Sequence, residues 1–377
     1  MPTVFERHFR ERGEFKNLEF GLHRIQAALD SLGISDNIAK NVIHLAGTNG
    51  KGSTALFIEQ ILRHRGHSTA LFTSPHIHTI RERIRLNGQN ISPSDFDRVT
   101  SDLIPVIDRH MLTYFEALTL IAFKVFSDAQ PDTAIIETGL GGRLDSTNVL
   151  NKKLPVITSI SIDHTEYLGT DIFGIADEKL AIIKDNPLFF LGRNTEEITS
   201  YIYNKLADKQ IIRPDYSDGQ YMGFGIPYSN NLRLAESVCG HITAGGMPSD
   251  LKLPMCRMER FGQFILEGAH NEAGLAILAE RFRGKNPTAI FSCTRDRDFQ
   301  KLYNILSGVC GKIVVTQIPD NDRSIDITTL NPSLFMTKSP EEALKLAVEL
   351  SENADILVCG SLYLCAYIRE ILTKGNV

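Results

Sequence analysis

The segment from Asn41 to Thr54 constrains the fold more than any other part of this chain. It begins with a short apolar run, Val42–Ala46, whose β-branched residues predict a buried strand. A turn of sequence G-T-N-G-K-G follows, and apolar residues then recur at helical spacing over Ser53–Arg65. In a strand, glycine-rich turn and helix of this kind, backbone amides converge on a phosphate at the helix N-terminus. The segment therefore predicts a phosphate-binding turn.

This turn differs from the usual phosphate-loop pattern by one residue. That pattern places Ser or Thr directly after the lysine, whereas Gly52 separates Lys51 from Ser53 here. In such a loop Lys51 would reach the outer phosphates, and Ser53 or Thr54 would place a hydroxyl near a magnesium ion. The alternative is a β–α turn that binds nothing. The order of strand, glycines, lysine and hydroxyl favours phosphate binding.

The composition narrows the classes of partner. The 377 residues are enough for two domains, and 42% hydrophobic with 23% charged residues is typical of a globular protein. A net charge of −5 gives no reason to expect a nucleic acid or an anionic membrane. We find no apolar run long enough to span a membrane and no secretory signal, and we expect a cytoplasmic protein. The six cysteines lack C-x-x-C spacing and are predicted to be reduced, mostly buried thiols.

Helical and strand patterns alternate along the first half of the chain, which favours a mostly parallel sheet with helices on both faces. Residues 1–40 are predicted to be mostly helical. Further strands are predicted at Thr69–Thr73, Thr133–Glu137, Val156–Ile162 and Leu188–Leu191. Helices are predicted at Pro93–Ile107, Tyr114–Phe126 and Asp171–Lys184, and a hairpin turn at Asn87-Gly88.

In the second half of the chain the alternation of helical and strand patterns is interrupted and then resumes. Residues 207–255 are rich in Gly, Pro, Asn and Ser, and we interpret them as irregular edge structure and a linker. From Gln263 the alternation restarts, which predicts a second, smaller α/β unit. Its strands are expected near 263–267, 288–293, 312–317 and 355–360, and its helices near 271–284, 297–308, 339–352 and 361–373.

Polar groups follow several of the predicted strands, and ligands of parallel α/β sheets bind at such carboxyl ends. They are the turn at 47–53, Ser74, Glu137 and His164, the last of which is predicted to follow its strand directly. A hydroxyl, a carboxylate and an imidazole around a triphosphate would suit a divalent cation. Magnesium prefers oxygen, so His164 is the least favourable ligand on chemistry alone. Each group taken singly is more often structural, and only their joint placement favours a site.

A series of motifs resembles the folylpolyglutamate synthase/dihydrofolate synthase family of the Mur-ligase superfamily. They are HLAGTNGKGST, TSPHIHTIRERIRLNG, TYFEALT, IIETGLGGRLDSTNV, ITSISIDHTEYLG, EKLAIIK, RMER…FILEGAHN, CTRDRDF and VCGSLYLCA. The likeness spans nearly the whole chain. It implies an α/β fold in which 1–255 form a P-loop-type, mostly parallel ATPase domain, the Mur-ligase ATP-binding and central domain. Residues 256–377 would form a smaller C-terminal Rossmann-like α/β ligase domain.

The resemblance also implies roles for single residues. ATP would be held by Thr48, Asn49, Gly50, Lys51, Gly52 and Ser53, by Asn230 or Asn231, and from the second domain by Arg257, Glu267, His270 and Asn271. Two magnesium ions would be coordinated by Ser74, Glu137, His164 and Lys179, the lysine being carbamylated to give it carboxylate-like oxygens. Lys51, Glu137, His164 and Lys179 would be the catalytic residues. The pterin substrate would contact Thr113, Tyr114, Phe115, Glu116, Leu144, Asp145 and Ser146. Without the resemblance, Lys179 reads as a surface cation on an amphipathic helix.

The chain departs from the family pattern mainly where the adenosine would bind. Met255-Cys256 replaces Pro-Gly before the junction arginine, and Glu267 replaces a usual Asp. Tyr228 stands for a usual Gln, which leaves the neighbouring Asn contact open, and Ala181 stands for a usual Gly. The chain is also shorter than typical members, mainly between 200 and 262. We still expect an active enzyme.

The implied reaction joins L-glutamate to dihydropteroate, to reduced folate (poly)glutamates, or to both, with ATP and through an acyl phosphate. Three alternatives remain: a Mur-type ligase for another carboxylate, a phosphate-loop kinase or ATPase without ligase activity, and a regulatory protein with an inactive site. The resemblance implies small-molecule partners and a monomer.

Overall fold

The computed structural model describes residues 2–10, 21–216, 219–319 and 321–375. It divides into two compact units, Met1–Lys252 and Leu253–Val377. Both units contain mostly parallel α/β sheets, which confirms the predicted fold class. Residues 11–20, part of the segment predicted to be mostly helical, lie outside the described residues.

The first unit is built on an eight-stranded sheet with the order β4-β3-β2-β5-β1-β6-β7-β8. Its strands are β1 Asn41–Ala46, β2 Thr69–Phe72, β3 Ile84–Leu86, β4 Gln89–Asn90, β5 Thr133–Glu137, β6 Leu154–Ile157, β7 Leu188–Leu191 and β8 Gln210–Ile212. Its helices are α1 Val4–His8, α2 His23–Ser31, α3 Lys51–His64, α4 Pro93–Arg109, α5 Tyr114–Ala129, α6 Thr165–Leu168, α7 Ile172–Leu180, α8 Glu196–Lys205 and α9 Tyr228–Ile242. Only the β2–β3 and β3–β4 pairs are antiparallel, and the second is the hairpin predicted at Asn87-Gly88.

The second unit has a six-stranded sheet with the order β13-β12-β11-β14-β10-β9, in which only β9 is antiparallel to its neighbour. Its strands are β9 Glu259–Phe261, β10 Phe264–Leu266, β11 Thr288–Phe291, β12 Lys312–Thr316, β13 Phe335–Thr337 and β14 Ile356–Cys359. Its helices are α10 Glu272–Phe282, α11 Phe299–Ser307, α12 Pro340–Ser351 and α13 Leu362–Thr373. The short strands β9 and β13 were not predicted, whereas the other elements lie within a few residues of the predicted ranges.

Apolar side chains on both faces of the first sheet explain its central position. On one face, α2, α4 and α5 pack against β1, β2 and β5, and α7 and α8 pack against β6 and β7. On the opposite face, α3 packs against β2 and β5, and α9 packs against β7. Each large apolar side chain buried in this way contributes roughly 1.5–3 kcal/mol to folding. No helix in the described ranges combines the length and the apolar character needed to cross a membrane. All six cysteines are buried and unpaired, as predicted.

Two predictions about the first unit are wrong. Residues 207–255 are not merely irregular, because they contain β8 and the 15-residue helix α9, which packs against α3. The strand predicted at Val156–Ile162 ends at Ile157, because the following backbone leaves the sheet to bond the turn after β1. His164 therefore does not follow its strand directly. It precedes the first residue of α6 instead, in a left-handed conformation.

Candidate active site

The register of the sheet gathers the predicted site residues at one edge. β1 lies between β5 and β6, with Leu45 opposite Glu137 and Ala46 opposite Ile157. On the other side of β5, Phe72 lies opposite Ile136, so the chain leading to Ser74 leaves the sheet at the same edge. The phosphate turn, Glu137 and Ser74 therefore come from neighbouring strands.

The turn between β1 and α3 is clamped from the segment that follows β6. The amide of Thr48 donates to the Ser159 carbonyl at 2.6 Å, and the Thr48 hydroxyl donates to the Ser161 carbonyl at 2.9 Å. The hydroxyls of Thr158 and Ser159 both donate to the Asn49 carbonyl, at 2.9 and 3.1 Å. These bonds fix the turn without using its remaining amides. This clamp was not predicted, and its signal in the sequence is the run of hydroxyl residues Thr158, Ser159 and Ser161 within the predicted strand.

Two glycines of the turn are required by space and by conformation. Gly47 has φ +151° and Gly50 has φ +88°, values that L side chains rarely adopt. A Cβ on Gly47 would overlap the Thr158 hydroxyl, and one on Gly50 would lie 2.7 Å from Asn231 Oδ1. Of the two asparagines left open by the sequence, Asn231 is thus the one beside the turn. Asn230 is buried, 7% exposed, and its Oδ1 has no partner among the described residues.

We expect Gly47→Ala to destabilise the protein and to abolish nucleotide binding. Forcing a left-handed or strained backbone costs about 1–3 kcal/mol, and the overlap with Thr158 adds to that cost. Thermal unfolding and titration with ADP would measure both effects. Gly240→Ala is the matched control, because Gly240 is an exposed residue of α9 with open space around it and alanine favours a helix. A Gly47→Ala protein that binds ADP like the wild type would contradict the assignment.

Lys51 begins α3 and folds over the turn. Its Nζ donates to the Gly47 carbonyl at 3.0 Å and to the Thr48 carbonyl at 3.3 Å. The ammonium group therefore already lies against the turn that the sequence predicts to bind phosphate. Ser53 and Thr54 are buried in the first turn of the same helix, and Thr54 Oγ1 has no partner among the described residues.

Glu137 stands against the start of α3. It is 4% exposed, and its Oε2 accepts the amide of Ser74 at 3.1 Å. A Cβ on Gly52 would lie 3.4 Å from Oε2 and 3.7 Å from Oε1. These are ordinary van der Waals distances, so Gly52 lies directly against the Glu137 carboxylate. Ser74, Glu137 and the phosphate turn are thus brought together.

Lys179 lies in the last turn of α7, where it is 3% exposed. It is not a surface cation, and its Nζ makes no hydrogen bond or ion pair within the described parts of the chain. Burial, then the charge of Lys51, lowers the pKa of Lys179 to about 7, against the opposing effect of Asp163 and other carboxylates. A large fraction of this amine is therefore neutral, and hence nucleophilic, near pH 7.

The second glycine-rich turn is tied to both α5 and α7. A Cβ on Gly139 would lie 2.5 Å from Cζ of Phe115, so the phenyl ring rests on the turn. A Cβ on Gly142 would lie 2.5 Å from the Glu178 carbonyl and 3.1 Å from Lys179 Cα. This turn therefore packs directly against the backbone of α7 at Lys179.

Asp145 holds that turn in place. Its Oδ2 accepts the amides of Gly139 and Leu140 at 2.8 and 2.9 Å, and its Oδ1 accepts the amide of Thr147 at 3.0 Å. Burial raises the pKa of Asp145, and the hydrogen bond from the Thr147 hydroxyl leads those that offset part of this rise. The contacts of Asp145 within the chain are therefore structural.

Of the other residues predicted to line the pterin site, some are held by contacts within the chain and some present apolar surface. Thr113 caps α5 in a reciprocal box with Glu116, whose Oε2 also pairs with Arg24 at 3.1 Å. Ser146 Oγ bonds Thr119 at 2.6 Å. Tyr114 packs on aromatic side chains of α1, whereas Leu144 is 44% exposed and, with Phe115, offers apolar surface.

In the second unit the four predicted nucleotide residues lie close together. Arg257 pairs with Glu267 at 3.2 Å, and Glu267 also accepts the amide of Met258 at 3.1 Å. His270 Nδ1 donates to the Gly268 carbonyl at 2.9 Å. Asn271 caps α10 by accepting the amide of Gly274. The side chain of Glu267, which is longer than that of the usual Asp, thus binds both the Arg257 guanidinium and a backbone amide.

Comparison with known proteins agrees with this fold. The Mur ligase middle domain matches residues 45–219, which include the phosphate turn, Glu137 and Lys179. The dihydrofolate synthase/folylpolyglutamate synthase of Mycobacterium tuberculosis is 30% identical over 377 residues, covering 82% of this chain and 76% of that protein. The chain belongs to the dihydrofolate synthase/folylpolyglutamate synthase family.

Solved structures extend the likeness to the whole chain. E. coli FolC in complex with DHPP and ADP has a TM-score of 0.87 at 25% identity, with 100% of both chains covered. A bifunctional folylpolyglutamate synthase/dihydrofolate synthase with Mn, AMPPNP and L-glutamate bound has a TM-score of 0.82 at 25% identity, with 97% of both chains covered.

Proposed function

We propose that this family member uses ATP to join L-glutamate to the carboxylate of dihydropteroate and of reduced folate glutamates. The observation that carries the proposal is the contact of Glu137 with both Ser74 and the first residues of α3, directly beside the phosphate turn. This arrangement supports binding of a nucleotide triphosphate with its cation. Family membership supports glutamate as the amine and a pterin-bearing acid as the acceptor.

The residues at this edge fit a magnesium ion. Magnesium is usually held by one or two carboxylates together with phosphates and water, and Ser74 and Glu137 supply oxygens beside the phosphate turn. Among the described residues, no three His, Cys, Asp or Glu side chains form a ready-made metal site. A bound cation would offset negative charge on the phosphoryl oxygens. The relative bound to Mn and AMPPNP supports a divalent cation here.

A second ion is proposed at His164 and a carbamylated Lys179. The neutral Lys179 amine would attack carbon dioxide, form a C–N bond and release a proton, which leaves a carboxylate on the side chain. Burial, the pKa of about 7 and the lack of a partner among the described residues all support this modification. They are what a nucleophilic amine requires at neutral pH.

The chemistry needs no protein nucleophile. The acceptor carboxylate attacks the γ-phosphorus of ATP, ADP leaves, and an acyl phosphate forms. The amine of L-glutamate then attacks the acyl carbon, loses a proton and displaces phosphate. Lys51 and the backbone amides of the turn stabilise the charge on the transferred group, so catalysis consists of positioning and electrostatics.

In the second unit, Arg257, Glu267, His270 and Asn271 are proposed to contact the nucleotide. Their support is their proximity to one another around the start of α10. In the first unit, Asn231 is proposed to contact the nucleotide beside Gly50. A monomer is proposed on the family resemblance alone.

The proposal is tested by ADP release from the purified protein with magnesium and L-glutamate. Dihydropteroate and a reduced monoglutamyl folate are compared as acceptors, and the products are weighed by mass spectrometry. We expect glutamate-dependent turnover, with a mass increase of one glutamyl unit on each acceptor. ADP release that ignores glutamate would instead favour a kinase or ATPase. Turnover with one acceptor only would restrict the enzyme to dihydrofolate synthesis or to chain extension.

A further inference from the structure

His44 interrupts the apolar run of β1, and none of the steps described above uses it. Its side chain is fully buried, three residues before Gly47 at the start of the phosphate turn. Burial, then the charges of Lys153 and Lys184, lowers the pKa of His44, so the imidazole is neutral near pH 7. A neutral imidazole has one N–H donor and one acceptor nitrogen, and its hydrogen bonds show which nitrogen carries the proton.

The hydrogen bonds of Asp145 determine which atom donates in the bond made by His44. Its Oδ2 accepts the amides of Gly139 and Leu140, and its Oδ1 accepts the amide and the hydroxyl of Thr147. An ionised carboxylate has about four lone-pair sites and no donor, so these bonds fill it and use the hydroxyl proton of Thr147. Nε2 of His44 lies 2.8 Å from that hydroxyl and must therefore donate to it. A chain of donors runs from His44 through Thr147 to Asp145.

The other ring nitrogen of His44 indicates that the residue is not there for stability alone. Nδ1 is buried and has no hydrogen-bond partner among the described residues. Leaving a buried polar atom without a partner costs free energy of folding. A leucine would avoid that cost in a strand where the adjacent Ile43 and Leu45 are apolar. What His44 supplies in place of a leucine is the hydrogen bond that it donates to Thr147.

The turn at the end of this chain contacts two helices of the candidate active site. A Cβ on Gly139 would lie 2.5 Å from Cζ of Phe115 in α5, the helix proposed to bind the acceptor. A Cβ on Gly142 would lie 2.5 Å from the Glu178 carbonyl, and the next residue of α7 is Lys179. A shift of this turn would therefore move surface that faces the acceptor and backbone beside the reactive lysine.

The far end of the same turn has a support of its own. Asn148 donates from Nδ2 to the Arg143 carbonyl at 3.0 Å, and its Oδ1 accepts Nζ of Lys153 at 2.6 Å. This second support does not pass through His44. Loss of the His44 bond would thus leave the turn folded and would loosen only the end near Gly139.

We propose that His44 is a positioning residue for the acceptor site and acts through Thr147 and Asp145. The inference rests on the proposed function and adds a buried strand residue that aligns the turn facing the acceptor. Nucleotide binding should not depend on this chain, because the phosphate turn is clamped separately by the segment that follows β6.

The first test compares His44→Leu and Thr147→Val, each of which removes the bond and keeps a similar volume. We expect kcat/KM for dihydropteroate to fall about tenfold to 100-fold in both, since small displacements at a reacting centre are costly. The Kd for ADP should stay at its wild-type value. His44→Leu should unfold at the wild-type temperature or above it, because the unpartnered nitrogen is gone. A fall in thermal stability and in ADP affinity together with activity would show a merely structural role and would overturn the proposal.

Three further variants test the chain itself. Thr147→Ser keeps the hydroxyl and should retain most of the activity. The double variant His44→Leu/Thr147→Val should lose no more than Thr147→Val alone, because both changes break the same chain. Independent, additive losses would refute it. Thr133→Val is the control, because Thr133 is buried at the start of β5 and its hydroxyl has no partner among the described residues.

Direct binding separates this inference from the proposed function. Calorimetric titration of the ADP-bound protein with dihydropteroate, and then with a reduced monoglutamyl folate, needs no turnover. Weaker acceptor binding by His44→Leu than by the wild type supports the positioning role even in a protein that forms no amide bond. Equal acceptor binding and equal turnover by the two proteins would refute the positioning role and leave the ligase intact.

Discussion

Replacing Lys179 with alanine should lower glutamate-dependent ADP release about 100-fold to 1000-fold, and added bicarbonate should not restore it. The reason is that the proposed carbamate needs this amine, whose pKa is lowered to about 7 by burial and then by the charge of Lys51. Without the amine there is nothing for carbon dioxide to modify, so the oxygens proposed to bind the second cation are lost.

The modification itself has a separate readout. Wild-type protein kept in ¹³C-bicarbonate should show a carbamate carbon by NMR, and the Lys179→Ala protein should not. Carbamate forms only from the neutral amine, and the neutral fraction falls as pH drops below the pKa of about 7. Carbamate formation from that amine releases a further proton, so at constant dissolved carbon dioxide the signal should decline about 100-fold for each pH unit well below that value.

Two further variants separate a chemical loss from a folding defect. Lys179→Met keeps most of the buried volume without the amine, and it should be as inactive as Lys179→Ala. Burial disfavours the charged amine, and this amine forms no ion pair within the described residues. Lys179→Met should therefore retain the thermal stability of the wild type. Lys152→Ala removes an exposed lysine just before β6 and should keep full activity. Normal turnover by Lys179→Met would show that the carbamate assignment is wrong.

The elements that are determined by a few residues close together in the chain could be predicted from the sequence. The phosphate turn was predictable because its glycines lie between an apolar strand and an apolar-spaced helix. The starts of α4 and α5 were predictable from their caps, Ser92 before Pro93 and Thr113 paired with Glu116. These signals depend only on sequence neighbours.

The parts that failed depend on contacts between distant residues. The Thr48 hydroxyl bonds the Ser161 carbonyl 113 positions away, so the end of β6 could not be read from the apolar run that contains it. The helix α9 was missed because its Asn, Ser and Gly residues hid a buried face formed by Leu232, Ala235 and Val238. Packing on α3 overrides the weak helix propensity of such residues.

At the candidate active site, too, features set by neighbouring residues were predictable and features set by distant contacts were not. The residues at the strand ends could be identified from the sequence, but the burial of Lys179 could not, because it depends on packing with residues distant in sequence, such as Gly142. Likewise, Asp145 was expected to contact the substrate, and the pattern gave no sign that its carboxylate holds the turn. Sequence patterns locate reactive groups here, whereas tertiary contacts determine their protonation and their partners.

Glu137→Gln should lower kcat about 100-fold to 1000-fold at ordinary magnesium concentrations, and it should raise the magnesium concentration needed for half-maximal activity. The substitution removes the negative charge beside Gly52 and the phosphate turn. It keeps an amide oxygen that can still accept the backbone N–H of Ser74. Folding should therefore be nearly unaffected, and thermal unfolding would check this.

The measurement is ADP release over a series of magnesium concentrations, with Glu196→Gln as the control. Glu196 is exposed in the first turn of α8, so its variant should match the wild type in both rate and magnesium requirement. If Glu137→Gln lost activity at every magnesium concentration without a shift in requirement, Glu137 would act on the substrate and not on the cation. If it kept the wild-type rate, the carboxylate would be structural, and the contact that carries the proposed function would lose its meaning. A higher magnesium requirement in Glu137→Gln alone is the result that ties this carboxylate to the cation.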